Sequence, residues 1–238
     1  MQKLNEEPVV IAGGFLSSAG DYRSWQRLLA APPYSRRSFV AQISRFDWTT
    51  TRDESFRTQL LALERAVELA RSETGAEKVW LVCHSAGGRI ARLWMGEKPY
   101  MGFNCGGYRY VHGVIFLGSP YTTAEPWAKY SSSFANENYP GAYYPDITYV
   151  SVIGKAVLGK RFGTVEQRFA YNAYKVLDPA NPELWGDGVI TLASAHVPGA
   201  FNHVIEGIHH VSYLGRPGYI APAALSIWGE YLVPASER

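Results

Sequence analysis

The segment CHSAGG at residues 83–88 carries the clearest chemical signal in the chain. It follows an unbroken apolar run and precedes a segment with helical spacing, so it predicts a sharp turn between a strand and a helix. Small residues around Ser85 allow a turn tight enough to lift its hydroxyl clear of the strand. The N–H groups at the start of the following helix favour developing negative charge there. Ser85 is therefore a candidate nucleophile.

A serine hydroxyl needs a base, and the base needs an orienting carboxylate. Asp187 lies between two glycines and ahead of an apolar pair, which indicates a tight turn that aims its side chain. Asp146 and Asp178 are alternatives, but one precedes a predicted strand and the other a proline, as ordinary turn residues do. Asp187 is the candidate acid.

The base is expected in a loop directly after the last predicted strand, 204–206, and that loop contains two adjacent histidines. We predict His210 as the base, with His209 as the alternative. His84 is expected to pack within the turn, and His112 and His203 to begin strands. His196 follows Asp187 too closely to be the base.

Acyl chemistry at Ser85 also needs N–H donors for an oxyanion. The N–H of Ala86, directly after the serine, is one candidate. Gly13 and Gly14 allow a close turn after the first predicted strand, so the N–H of Phe15 is the second candidate, with Leu16 as the alternative.

Short apolar strands alternate with amphipathic helices along the chain. The predicted strands are 9–12, 38–44, 79–83, 111–117, 147–153 and 204–206, and the predicted helices include 21–31, 86–96 and 221–232. A further helix, ended by Gly75, is expected to begin at a capping box of Thr51 and Glu54. This alternation predicts an α/β fold with a mostly parallel sheet covered on both faces.

Two long connections, 119–146 and 155–185, are predicted to be cap or lid excursions of one domain spanning 1–238. They are rich in aromatic residues, which either line an acyl pocket or pack the excursions onto the body. Leu16, Tyr121 and Trp127 are the candidate pocket residues.

Composition excludes several other classes of protein. The chain has 238 residues, 47% hydrophobic and 18% charged, with a net charge of +2 and no long basic run, so no nucleic-acid partner is expected. No apolar window is long enough for a transmembrane helix, although peripheral membrane contact stays open. The first residues lack the apolar core of a secretion signal, which predicts a cytoplasmic location. No His-x-Glu or Cys-x-x-Cys spacing suggests a metal, and no cofactor is expected.

The motifs together resemble a known family. The segments VVIAGGFLSSAGDY, CHSAGGRIARLWMGEKPY, VIFLGSPY, GDGVIT and IEGIHHVS occur in the order seen in lipase-like α/β-hydrolases. The resemblance is greatest to the bacterial and plant branch related to triacylglycerol lipases and glycosylphosphatidylinositol inositol-deacylases. It implies an α/β-hydrolase fold, Ser85 as nucleophile, Asp187 as acid, His210 as base, and oxyanion donors at Phe15 and Ala86.

Two positions depart from the family pattern. Many relatives have histidine or proline where this chain has Gly13, and Thr-Pro-His where it has SPY at residues 119–121. Neither position belongs to the triad, so both bear on substrate preference and loop geometry.

The resemblance implies a serine hydrolase of carboxylic esters, with a small-molecule or lipid ester as substrate. An acyltransferase or thioesterase would use the same triad, because the acyl-enzyme is common to all of them. A non-catalytic protein that binds a ligand in the aromatic cavity is the alternative of a different class.

Overall fold

The computed structural model describes residues 7–49 and 54–233. Within them, six strands form one sheet in the order β2-β1-β3-β4-β5-β8, and β6 pairs with β7 in a small second sheet. The strands are β1 (Val9–Ala12), β2 (Ser38–Val40), β3 (Val79–His84), β4 (Val111–Leu117), β5 (Thr148–Lys155), β6 (Val157–Leu158), β7 (Trp185–Gly186) and β8 (Phe201–Glu206).

Every pairing in the six-stranded sheet is parallel, whereas β6 and β7 pair antiparallel. The carboxyl ends of the six strands therefore meet at one edge of the sheet. Loops that leave this edge after β1, β3 and β8 carry the candidate oxyanion donors, nucleophile and base. In open parallel sheets, this edge is where ligands bind.

The α-helices of the described residues are α1 (Arg23–Ala30), α2 (Arg45–Thr49), α3 (Arg57–Thr74), α4 (Gly87–Met95), α5 (Lys129–Asn138), α6 (Val165–Leu177), α7 (Leu192–Ala195) and α8 (Pro222–Trp228). Short 3₁₀ segments lie at Ala19–Tyr22, Gly107–Tyr110 and Gly229–Leu232. The excursion 119–146 contains α5, and the excursion 155–185 contains α6. No helix in the described ranges is both long and apolar enough to cross a membrane.

Hydrophobic cores cover both faces of the sheet. Successive side chains of a strand point to opposite faces. Accordingly, Val10 packs in one cluster with residues of α3 and α4. Val9 and Ile11 pack in a second cluster with residues of α1 and α8. The prediction of a parallel sheet covered on both faces is confirmed.

The predicted start of α3 is wrong. The helix begins at Arg57, and both Glu54 and Phe56 have left-handed backbone conformations, with φ of 56° and 48°. A residue in that region does not continue a right-handed helix. The Glu54 carboxylate instead accepts a hydrogen bond from the Ser131 N–H at 2.9 Å. Thr51, the other half of the predicted capping box, lies outside the described residues.

The strand bounds differ most from the prediction at β2 and β8. β2 ends at Val40 rather than at residue 44, whereas β8 begins at Phe201, three residues earlier than predicted. β8 pairs with β5 over its whole length, from Phe201 opposite Val150 to Glu206 opposite Lys155. Its first residues are polar or exposed at this edge strand, so the apolar pattern underestimates its length.

Candidate active site

Ser85 occupies a strained turn between β3 and α4. Its φ is 53°, in the left-handed region that a non-glycine residue rarely adopts. Its N–H donates to the Leu117 carbonyl at 3.0 Å, which fixes the turn against the end of β4. Strain of this kind persists only when the surroundings hold it, and it is concentrated at functional sites. The half-buried serine therefore has the backbone geometry expected of a nucleophile at a sharp turn.

Glycines make this turn possible through close backbone approach. A Cβ atom on Gly87 would lie 2.2 Å from the Ala12 carbonyl oxygen. A Cβ atom on Gly14 would lie 2.9 Å from the Ser85 Cβ and 3.4 Å from its Oγ. The loop after β1 is thus packed directly against the serine.

His210 and Asp187 form a buried pair. Nδ1 of His210 lies 2.7 Å from Oδ2 of Asp187, and the His210 N–H donates to the Asp187 carbonyl at 2.9 Å. The other carboxylate oxygen, Oδ1, accepts from the N–H groups of Val189 at 2.9 Å and Ile190 at 2.7 Å. The Tyr219 hydroxyl donates to Oδ2 at 2.7 Å. These contacts fix both the carboxylate and the ring that it faces.

The electrostatics of the pair favour an ionised acid. Burial by itself would raise the pKa of the Asp187 carboxyl, which is 1% exposed. The facing His210 ring and the hydrogen bonds from His210, Ile190 and Tyr219 outweigh burial and lower that pKa below its usual value. Burial and the neighbouring carboxylate raise the pKa of Tyr219, so its hydroxyl stays protonated and able to donate.

The alternative base, His209, lies in a different environment. Its Nδ1 is 3.2 Å from the Gly207 carbonyl oxygen. Its Nε2 is 3.1 Å from Nη1 of Arg216 and 3.3 Å from the Glu166 carboxylate. His209 does not line the cavity that contains Ser85, whereas its neighbour His210 does.

Ser85 and His210 line one cavity of about 440 Å³ at the carboxyl edge of the sheet. Its walls include the apolar side chains of Phe15, Leu16, Trp25, Val211 and Ile220, together with the hydroxyl-bearing Ser17, Ser24 and Ser212. Asp21, Tyr22, His84 and Tyr219 also line it, so apolar and polar side chains share its walls. Leu16, a candidate pocket residue, is among these lining residues.

Tyr121 and Trp127 do not line this cavity, so the prediction that they form its pocket does not hold. The Tyr121 N–H donates to the Ser194 carbonyl at 2.6 Å, and its ring lies 4.3 Å from the Arg92 guanidinium. It is therefore held against α7 and α4. Trp127 is 48% exposed on the surface of its excursion. Aromatic composition identified the excursions but not the direction in which their side chains point.

The candidate oxyanion donors both lie next to the candidate nucleophile. Ala86 follows Ser85 directly, and Phe15 follows the glycine that packs against it. Within the described residues, the N–H groups of Phe15 and Ala86 have no hydrogen-bond acceptor. Both are free to donate to a bound group.

The remaining candidates are accounted for elsewhere. Nε2 of His203 contacts the Tyr231 hydroxyl at 2.9 Å, and the His112 ring lies 5.2 Å from that of Trp80. Asp178 accepts from the N–H groups that follow it, as a turn residue does, and Asp146 is exposed in a turn. In the part of the chain that the structure describes, no three His, Cys, Asp or Glu side chains group as metal ligands would.

His84 is more than a packing residue of the turn. Its ring is 6% exposed, and it places Nδ1 3.0 Å from the Tyr22 hydroxyl and Nε2 2.9 Å from the His210 carbonyl oxygen. Burial, followed by the nearby His210, lowers the pKa of His84 to about 3. The ring is therefore neutral in the folded protein.

This buried histidine is expected to make folding sensitive to acid. Its folded pKa of about 3 lies below the unfolded value of 6.5, so the unfolded chain binds the extra proton. Its contribution to stability is complete above 6.5 and is lost as the pH falls toward 3. In urea titrations, the advantage of the wild type over His84→Gln should shrink by about 1 kcal/mol for each pH unit in this window.

The exposed His196→Gln is the control, because an exposed ring is hydrated in both folded and unfolded states. A wild-type advantage over His84→Gln that stays constant across the window would contradict a neutral buried His84.

Comparison with known proteins supports the fold. The chain matches no protein-family model and no curated protein. Among solved structures, it is similar to the Bacillus licheniformis lipase BlEst2 in its mature form, with a TM-score of 0.65 and 17% identity over 98% of this chain and 95% of that one. The propeptide form gives 0.64 and 16% identity, and this chain covers 52% of that longer chain.

The product of gene lin2722 of Listeria innocua is also similar, with a TM-score of 0.52 and 14% identity over 96% of this chain and 93% of that one. At these identities the likeness establishes the fold alone. Taken with the parallel sheet and the turn at Ser85, it identifies the chain as having the fold of the lipase-like α/β-hydrolases.

Proposed function

We propose that the chain is a serine hydrolase that cleaves carboxylic esters through an acyl-enzyme on Ser85. The observation that carries this proposal is the buried Asp187–His210 pair at the rim of the cavity that Ser85 lines. A strained serine, an oriented imidazole and free N–H donors at one site are the groups that acyl transfer requires.

In the first half of the reaction, the Ser85 Oγ attacks the acyl carbonyl carbon, and Nε2 of His210 takes the hydroxyl proton. The N–H groups of Phe15 and Ala86 donate to the resulting oxyanion. Collapse of this intermediate breaks the bond to the alcohol, which leaves with the proton from His210. Asp187 stays ionised and holds Nδ1–H of the ring throughout.

In the second half, water attacks the acyl-enzyme, and His210 takes a proton from that water. The second intermediate collapses, the acid leaves, and Ser85 regains its proton. The size and apolar walls of the cavity favour an acyl group of short to medium length.

The test is labelling with a fluorophosphonate, followed by peptide mapping and by assays on p-nitrophenyl esters of increasing acyl length. We expect one labelled residue, Ser85, with label and ester turnover both lost in Ser85→Ala. Folded wild-type protein that neither takes the label nor turns over any ester would overturn the proposal in favour of a ligand-binding protein.

A further inference from the structure

Three hydrogen bonds in series join the loop after β1 to the loop that carries the base. The Gly14 N–H donates to the Tyr22 hydroxyl oxygen at 2.8 Å. The Tyr22 oxygen lies 3.0 Å from Nδ1 of His84, and Nε2 of His84 lies 2.9 Å from the His210 carbonyl oxygen. Tyr22 is 4% exposed and His84 6%, and both line the cavity that contains Ser85.

The acceptors fix the direction of each bond. A carbonyl oxygen only accepts, so Nε2 of His84 carries the proton and donates to His210. Nδ1 of the neutral ring is then an acceptor, and the Tyr22 hydroxyl, which also lies 3.3 Å from the Ser17 Oγ, donates to it over the shorter distance. The hydroxyl oxygen keeps a lone pair for the Gly14 N–H. Each buried polar atom in the series thus has a partner.

The series connects two loops that the sheet leaves apart. β1 and β8 are separated by β3, β4 and β5 in the sheet order. Within the described residues, no backbone hydrogen bond joins 13–16 to 207–212. His84 lies on the strand between them, and its ring lies at 35° to that of His210 with centroids 4.8 Å apart.

The site is sensitive to the relative position of these loops. Gly14 packs against the Ser85 side chain and precedes the candidate donor N–H of Phe15. His210, the candidate base, lines the same cavity as Ser85. A misplacement of about 1 Å in such a constellation costs up to about 100-fold in rate.

We propose that Tyr22 and His84 are positioning residues, whose hydrogen bonds hold the Gly14–Phe15 backbone and the His210 backbone in register at the cavity that contains Ser85. This inference rests on the proposed function, because it assigns the two loops their roles in acyl transfer. It gives His84 a task beyond packing within the turn.

The kinetic test compares Tyr22→Phe, His84→Gln, His84→Leu and the double variant Tyr22→Phe/His84→Gln. Tyr22→Phe keeps the ring and removes the link to Gly14 and to His84. We expect kcat for a p-nitrophenyl ester to fall by about 10- to 100-fold, with KM nearly unchanged. His84→Gln still offers an amide donor to the His210 carbonyl, so it should retain more activity than His84→Leu. The double variant should lose little more than the worse single variant, because both act through one series.

Tyr144→Phe is the matched control. It also removes one buried tyrosine hydroxyl, which donates to the Met95 carbonyl at 3.2 Å, but it does not line the cavity. We expect its kcat to equal the wild-type value even where its Tm falls as far as that of Tyr22→Phe. Equal losses of kcat in Tyr144→Phe and Tyr22→Phe would overturn the inference.

Hydrogen exchange tests the coupling without relying on catalysis. In Tyr22→Phe, peptides covering 207–213 should exchange faster, as should those covering 13–18, because His84 loses the donor that fixes its ring. Unchanged exchange in 207–213 would overturn the inference even if Ser85 takes the fluorophosphonate. The converse outcome is a wild type that takes no label while exchange in both segments still rises in Tyr22→Phe. That result would overturn the proposed function and leave the coupling in place.

Discussion

Replacing His210 by glutamine is expected to lower kcat/KM for ester hydrolysis by about 10⁴-fold or more. Glutamine fills much of the same space and can still donate to Asp187, but an amide does not accept a proton at neutral pH. Ser85 would then attack as an unactivated hydroxyl. Fluorophosphonate labelling of Ser85 should collapse in parallel, because it requires the same activated oxygen.

The same change at the adjacent position, His209→Gln, is the matched control. The His209 ring contacts Glu166 and Arg216 rather than Asp187, so the variant should keep wild-type labelling and turnover of the same order. Loss of activity in His209→Gln with retention in His210→Gln would reverse the assignment of the base. Full activity in both variants would show that neither His209 nor His210 is the base.

Replacing Gly87 by alanine is expected to destabilise the fold by about 3 kcal/mol or more. The new Cβ would lie 2.2 Å from the Ala12 carbonyl oxygen and 2.9 Å from that of Gly13. Both obstacles are backbone atoms at the end of the buried strand β1, so no side chain can turn away. Urea unfolding should show the loss, and Tm should fall by about 6–12 °C for a chain of this size.

Gly20→Ala serves as the comparison. A Cβ atom there would meet only the Ser18 Oγ, at 3.8 Å, and the residue has no positive φ. Its free energy of unfolding should change by less than about 1 kcal/mol. If Gly87→Ala melts within a degree or two of Gly20→Ala, the close approach of α4 to β1 is not what requires glycine at residue 87.

Chain order and local pattern indicated much of the candidate site. The turn at Ser85 was predictable because a buried strand, small residues and a helix must follow one another there. Asp187 stood out by its flanking glycines, and the structure places its carboxylate against His210. His210 was preferred to His209 before the resemblance implied the same residue, although adjacent residues share the same local pattern. Only the folded loop separates their surroundings.

Other features of the structure could not be predicted from the sequence. Tyr219 lies 32 residues from the Asp187 that it contacts, and Tyr22 lies 62 residues from His84. Buried tyrosines elsewhere in the chain have the same local appearance. The helix start predicted at Thr51 and Glu54 was wrong, because Glu54 has a left-handed backbone conformation and its carboxylate binds the Ser131 N–H instead. Tyr121 and Trp127 belong to the aromatic-rich connection 119–146, but they do not line the cavity.

The sequence by itself determined the alternation of strands and helices, the parallel sheet and the turn that presents Ser85. These features follow from the regular spacing of buried residues and from backbone conformations that few residues tolerate. Both can be recognised within a short stretch of sequence. Tertiary structure alone decided the walls of the cavity, the partners of His84 and the environment of each histidine. Those contacts join residues far apart in the chain. Their hydrogen bonds form only after burial removes the water that would otherwise compete for the same donors and acceptors.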